Sequence, residues 1–467
     1  MKKAMQSKRV LLTGIVVLLS GVLSAQRAEI NYYRPYDKSG INIFETTKLD
    51  TVPFTGVDVR ISGGFKQSWQ SLSATNNADV VLKDNTLTST AGDSVDINAL
   101  YPLRPGFNLA SANLIIDAQL ADGIYVKLEN YMSARHHNEF WVKGGFIQVD
   151  KLPMFGNPEW FSKNFTIKVG DMEVNYGDAH FYRTDNANAI YNPFVEQNIM
   201  DAFATEVAGE LYFKPESGFI AMLGMSSGLL NADLTPFKDP TSGDTLNRKP
   251  SIYGKLGYDK QLNTDLRVRL TGSIYMNGGT SRNTLYAGDR AGSNYYLAGE
   301  TQYYVSAGVL TASSATNKAF SGRLDPGFSS KVTAIMINPF IKWKGLEIFG
   351  TYEMASGDIS LSSSGVSDTT KRSFSQMAVS GLYRFLPNEQ CYVGVRYNTV
   401  SGRLFGYSDT DGDITVNRMQ IAAGWFPTSN ILLKLEYVTE DYVNFKTSDY
   451  RSELNFSGVV VEAAIGF

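Results

Sequence analysis

Basic side chains recur along this sequence at alternate positions, beside apolar neighbours. Arg60 and Lys66, Lys127 with Glu129, Lys168, Arg267 and Arg269, Lys342, Arg384, Arg396, and Lys434 with Glu436 all follow this pattern. On an extended chain, residues two apart share a face. Such a ladder can therefore line a path with fixed charge and bias which solutes pass. Selectivity of that kind comes from charge at the narrowest ring. The alternative chemistry is self-neutralisation, with Asp58, Asp117, Glu129, Glu353, Glu436 and Glu462 pairing with the cations across neighbouring strands.

The segment 168–203 is the densest in reactive side chains. It contains Asp178, His180, Arg183 and Asp185 within a polar stretch entered through Gly170-Asp171 and Gly177-Asp178. One expectation is a loop folded into a lumen as a constriction, with Arg183 as a fixed positive contact. The other is an external loop held by its own Asx turns. His180 beside Asp178 is the one candidate base near a carboxylate, and no Ser has an activating context. Asp409, Asp411 and Asp413 resemble the start of a calcium loop, but its twelfth position is Gln420 rather than a bidentate Glu, which favours a solvated loop tip. His136 and His137 are adjacent and would point to opposite faces of a strand. With three His and one Cys (Cys391), neither zinc chemistry nor an intrachain disulfide framework has support. No Gly-rich phosphate cradle opens a helix. The expectation is a protein without catalytic residues, metal or other cofactor.

The elements that must position these residues are strands. Ile431, Leu433, Leu435 and Tyr437 alternate with Lys434 and Glu436; Val57, Val59, Ile61 and Phe65 oppose Asp58, Arg60, Ser62 and Lys66. The same holds for 124–129, 266–271 and 377–385. Short turns rich in Gly, Pro, Asn or Asp stand at 121–123, 214–218, 261–265, 344–345, 387–389 and 427–430. Between these hairpins the connections are long and polar: 71–104, 176–202, 227–250, 278–331, 357–372 and 402–414. Sorting loops by parity is the pattern of an outer-membrane barrel, with short periplasmic turns and long extracellular loops. The expectation is all-β: a transmembrane antiparallel β-barrel of about 16 strands, or 18 if 278–331 splits. A charge on the lipid face is costly at mid-membrane, so the ionic ladders are expected to face water in the lumen.

The remaining features agree. Lys2, Lys3, Lys8 and Arg9 precede an apolar run, Leu11 to Leu23, and Ser24-Ala25 offers a cleavage point, so 1–25 reads as a signal peptide. Residues 26–55 read as a periplasmic or luminal lead-in, and 56–467 as the barrel. After residue 25 no stretch approaches 18 consecutive apolar residues, which excludes a helical membrane protein. The mean hydropathy of -0.17 is what alternation gives. Tyr and Phe number 26 each, enough for aromatic girdles at two interfaces. Without the four basic residues of the signal, 39 basic residues face 46 acidic ones, which gives no general affinity for nucleic acid. The last nine residues alternate Val459, Val461, Ala463, Ile465 and Phe467 against Val460, Glu462, Ala464 and Gly466, as a barrel-closing strand would.

This terminal strand and the stretch GDMEVNYGD…RTDN in 168–203 carry a family resemblance. The chain resembles the porin-like outer-membrane proteins of Bacteroidota-type bacteria, and more distantly the phosphate-selective porins and alginate-export barrels. The resemblance implies passive movement of small hydrophilic solutes or ions across the outer membrane, with outer-membrane lipid as surroundings. Assembly as a homotrimer is one arrangement such a barrel permits. The mixed charge of the ladders departs from a dedicated anion channel. A second expectation is a plugged barrel, closed by 26–55 or by 278–331, that serves as a scaffold for secretion, motility or adhesion partners. A third is a barrel enzyme using His180 as base.

Overall fold

The computed structural model describes residues 29–49, 51–88, 92–134, 140–228, 237–238, 245–246, 248–280, 282–288, 291–359 and 368–467. Residues 1–25, read above as a signal peptide, and His136-His137 lie outside the described residues.

Sixteen antiparallel strands form one closed barrel. They are β1 (Asp58–Thr75), β2 (Ser111–Ala121), β3 (Ile124–Ser133), β4 (Phe140–Val149), β5 (Phe165–Glu173), β6 (Thr205–Phe213), β7 (Phe219–Ser226) and β8 (Ser251–Gln261). The series continues with β9 (Leu266–Asn277), β10 (Val332–Trp343), β11 (Leu346–Ile359), β12 (Asp368–Phe385), β13 (Cys391–Gly402), β14 (Ile414–Thr428), β15 (Ile431–Val443) and β16 (Asn455–Gly466). Each strand pairs with its sequence neighbour. Closure comes from β1, which pairs with β2 along Asp58–Lys66 and with β16 along Gly64–Thr75. Gly63 and Phe467 exchange both backbone hydrogen bonds at 3.0 Å, so the terminal aromatic is part of the seam. A closed sheet leaves no unpaired edge, the condition for backbone inside lipid.

Parity of the connections follows the turn chemistry. Asp122-Gly123 joins β2 to β3, with Gly123 at φ 72° where a left-handed residue is required. The one long connection on the short-turn side runs from β4 to β5 and contains the helix α1 (Glu159–Asn164). On the opposite side, 278–331 adds no barrel strand. Its extended pieces, Tyr303–Ser306 and Val309–Ala312, pair only with each other, which fixes the count at sixteen rather than eighteen.

The faces sort as the period of two requires. Leu433, Leu435 and Tyr437 are exposed outward, while Lys434 and Glu436 are buried inside. Phe219, Tyr258, Trp343, Tyr383, Phe385, Trp425 and Phe467 are exposed near the short-turn end of the wall and form an aromatic girdle there. One register shift matters: β3 and β4 skip Lys143 between the pairs Glu129↔Gly144 and Asn130↔Val142. That bulge turns Lys143 inward, where it pairs with Asp185.

Candidate functional site

Ionic side chains concentrate in the lumen, and much of it is filled by the chain itself. Three segments fold inward: the lead-in from 29 to 49, the β5–β6 connection 174–204, and the β9–β10 connection 278–331. Irregular backbone inside a barrel needs hydrogen-bond partners that a strand ladder does not supply. The wall supplies them from its side chains. Gln376 accepts from Met200 N at 2.9 Å and donates to Met200 O at 2.7 Å. Asn398 accepts from Ile199 N at 2.6 Å, and Glu436 from Val195 N at 2.8 Å. Gln70 clasps both backbone groups of Tyr296, at 3.0 and 2.8 Å. Above these contacts an apolar cluster joins Val195, Ile199, Met200, Leu285, Tyr286, Leu324 and Phe328 to inward-facing Val332, Met336, Phe374, Val416, Val438 and Val460.

This changes what the ionic ladders face. The side chains of Arg269, Arg384, Arg396, Lys434 and Glu436 do point inward, but they meet protein there and are buried. The expectation that these ladders look onto a water column is corrected for this part of the wall, because the loops take up their hydrogen bonds. Lys434 pairs with Glu462 at 2.7 Å and donates to Phe194 O at 3.1 Å. Arg384 pairs with Glu347 at 2.9 Å, and Lys342 with Glu389 at 2.8 Å. Arg396 donates to Gln420 at 2.6 Å and to Gln197 O at 3.2 Å. Arg267 bonds Asp259 at 2.7 Å. Arg60 lies over the Tyr33 ring at 4.3 Å, and Lys66 donates to Thr184 at 3.0 Å and to Asn294. Lys127 sits 3.5 Å from Glu129 and donates to Tyr36 at 2.6 Å. Of the expected acidic partners, Glu129 and Glu462 take a Lys. Glu353 instead accepts from Tyr176, Tyr286 and Gln376, all within the lumen.

All four loop candidates of 174–204 are inside. Asp178 is the hub: it accepts from Arg269 Nε and Nη2 at 2.8 Å, from Lys255 at 2.9 Å and from Thr271 at 2.7 Å. Burial pushes the Asp178 carboxyl up, but the Arg269 and Lys255 charges outweigh it and hold it at about 2. Glu45 of the lead-in joins the same two cations, at 2.7 Å from Arg269 and 3.0 Å from Lys255. Burial raises its carboxyl too, and the same two charges bring it well below the usual range. One buried ionic junction thus ties lead-in, loop and wall together. Arg183 is held by Asp201 at 2.9 Å and Asp185 at 3.2 Å and stacks on Phe203 at 3.8 Å, so it is a structural cation with 2% of its surface exposed. His180 bonds Glu173 at 2.6 Å and Asn175 at 3.0 Å rather than Asp178. Among the described residues its ring meets no hydroxyl or thiol, so the base–nucleophile arrangement that an enzyme of this kind needs is not assembled there. At the loop tip, Arg403 pairs with Asp409 and Asp413 and Lys446 with Asp411, so the three carboxylates are held by cations.

What the segments leave unfilled lies to the sides. A cavity runs against the β2–β6 wall, lined by Tyr33, Tyr125, Lys127, Phe146, Lys168 and Tyr212 among others. A second, smaller one lies between the 174–204 segment and the opposite wall, beside Phe194, Phe340, Glu347 and Arg396. Arg34, Glu45 and Lys143 were not among the sequence-derived candidates. The only local sign of the first two was the aromatic and charged density of the lead-in (YYRPY, FETTK).

No protein-family model matches the chain, and no curated protein matches it. Solved structures resemble it in shape. An anion-selective porin from Comamonas acidovorans aligns with a TM-score of 0.49 and 10% identity over 88% of this chain and 100% of its own. The outer-membrane channel DcaP of Acinetobacter baumannii gives 0.46 and 11% over 89% and 99%. OmpF of Salmonella typhi, in complex with daunomycin, gives 0.46 and 10% over 88% and 97%. The likeness is one of fold. The chain is a closed antiparallel β-barrel of sixteen strands.

Proposed function

We propose that this protein is a restricted diffusion channel of the outer membrane, passing small hydrophilic solutes or ions along the cavity beside β2–β6. The observation that carries this reading is the division of the barrel: apolar side chains cover its outside, ionic ones its inside, and an ionic, aromatic-lined space stays unfilled against one wall. The candidates Lys127, Glu129 and Lys168 then line the path, while Asp178, His180, Arg183 and Asp185 shape the obstruction beside it. The motif GDMEVNYGD…RTDN supports placing the chain with the porin-like proteins of Bacteroidota-type bacteria. Its interior carboxylates, nearly matched to the cations, argue against a dedicated phosphate or alginate path.

The apolar cluster inside the lumen favours a second reading, a plugged barrel that serves as a scaffold. Planar-bilayer recording of the purified protein separates the two. A restricted channel gives small stepwise currents that survive voltage reversal, and a folded barrel that never conducts refutes it. Deleting residues 26–55 is expected to enlarge each step. If current appears only in that deletion, the scaffold reading holds.

A further inference from the structure

Most charged groups around the β2–β6 cavity are matched. Lys127 has Glu129, Lys143 has Asp185, His180 has Glu173, and Glu45 has Arg269 and Lys255. Glu210 accepts from Tyr253 at 2.9 Å, Tyr212 at 2.5 Å and Asn175 N at 3.2 Å. Four groups stand apart. The Lys168 ammonium, half-buried, rests over Phe146 at 5.3 Å and Tyr212 at 5.2 Å, and among the described residues it takes part in no ion pair or hydrogen bond. Its cross-strand neighbour Gln148, 1% exposed, uses its amide nitrogen on Asp150 and leaves Oε1 without a donor. Asp117, also 1% exposed, has no donor at Oδ2, although Arg60 and Lys127 stand opposite it on the adjacent strands. On the lead-in, Arg34 donates to Gly40 O and Phe181 O and leaves Nη2 without an acceptor.

We propose that this cavity binds a short peptide in its zwitterionic form, with its carboxylate on Lys168, a peptide N–H on Gln148 and its ammonium on Asp117. The inference rests on the channel reading only for the route by which the peptide arrives. A simple anion would answer Lys168 and leave Asp117 Oδ2 without a donor. A neutral sugar would offer hydroxyls but offset neither charge. The spacing suits two or three residues. Asp117 on β2 and Lys168 on β5 are three strand intervals and two residues of register apart, roughly 16 Å along a curved wall, and three extended residues span about 10 Å before the end groups and the two wall side chains add their reach. Gln148 stands directly opposite Lys168 in the register, where the last peptide N–H of such a chain lies. Tyr125, Phe146 and Tyr212 supply apolar faces for its side chains.

The test is titration calorimetry of the full protein folded in detergent, with triglycine, N-acetyl-triglycine, triglycine amide, acetate and maltose as probes. Triglycine is expected to bind, and blocking either end to weaken it by about tenfold or more, the scale of one charge-assisted hydrogen bond. Lys168→Met should abolish the difference between triglycine and its amide. Asp117→Asn should abolish the difference between triglycine and its N-acetyl form. Equal binding of blocked and free peptides to the unmutated protein overturns the proposal, and so does binding of maltose or acetate as strong as that of triglycine. The blocked-end comparison needs no variant and stands even if either substitution fails to fold. Binding with these preferences in a protein that passes no current supports the site and removes the channel reading. Current without such binding overturns the site and leaves the channel.

Discussion

Replacing Asp178 by Asn should release the obstruction inside the barrel. The carboxylate holds Arg269 and Lys255 with three charge-assisted hydrogen bonds of 2.8 to 2.9 Å, wholly buried. Its fall from an ordinary 3.8 to about 2 has the sign of a carboxylate held ionised in the docked form. Breaking a buried ionic cluster from one side costs on the order of 3–5 kcal/mol. Taking the lower figure, local opening of the 174–204 segment should become on the order of 100-fold more frequent. The assay is hydrogen exchange of the protein in nanodiscs, read on peptides covering 174–190 and 38–48, together with single-channel recording. Protection in both regions should drop together, because Glu45 shares the same two cations, and conductance should rise. The folded value lies below the unfolded one, so this stabilisation is complete above about pH 4 and is lost as pH falls toward 2. The lumen of the unmutated barrel should therefore stay obstructed at pH 5 and open in stronger acid, whereas Asp178→Asn should show no such acid transition from this site. Unchanged protection in the variant would refute the reasoning.

Two further outcomes test the wall. Lys434 and Glu462 are both wholly buried 2.7 Å apart. Lys434→Met should therefore destabilise the barrel by about 3–5 kcal/mol, seen as earlier thermal loss of its compact gel mobility, and Lys434→Met with Glu462→Leu should recover most of it. Leu435 lies on the outer face of β15 and is 52% exposed. Leu435→Arg should cost about 2–4 kcal/mol in folding into vesicles with unit conductance unchanged, and a neutral result would place that face away from lipid.

The barrel was legible because its instructions are local. A strand read at a period of two assigns Leu435 outward and Lys434 inward without knowledge of any other strand. Turn residues such as Asp122-Gly123 need only their own backbone geometry, so the alternation of short and long connections could be read along the chain, and with it a count of sixteen or eighteen that the pairing within 278–331 then settled. The helix α1 on the short-turn side was missed because six residues are too few for a periodic signal.

The contents of the lumen were decided elsewhere. Nothing near Asp178 in sequence announces Lys255 or Arg269, and nothing near Glu45 announces either of them. Alternation says that Glu436 and Gln376 face inward, but an inward polar group is equally content with water or with the backbone of a returning loop. Closing the sheet brought the lead-in and two long loops into one enclosure. There the backbone N–H groups of Val195 and Met200 found those side chains. Which face each strand turns to lipid was fixed by the order of its own residues, because solvent sorting acts on one strand at a time. How much of the interior stays open was fixed by contacts between segments far apart in the chain, which exist only once the barrel is shut.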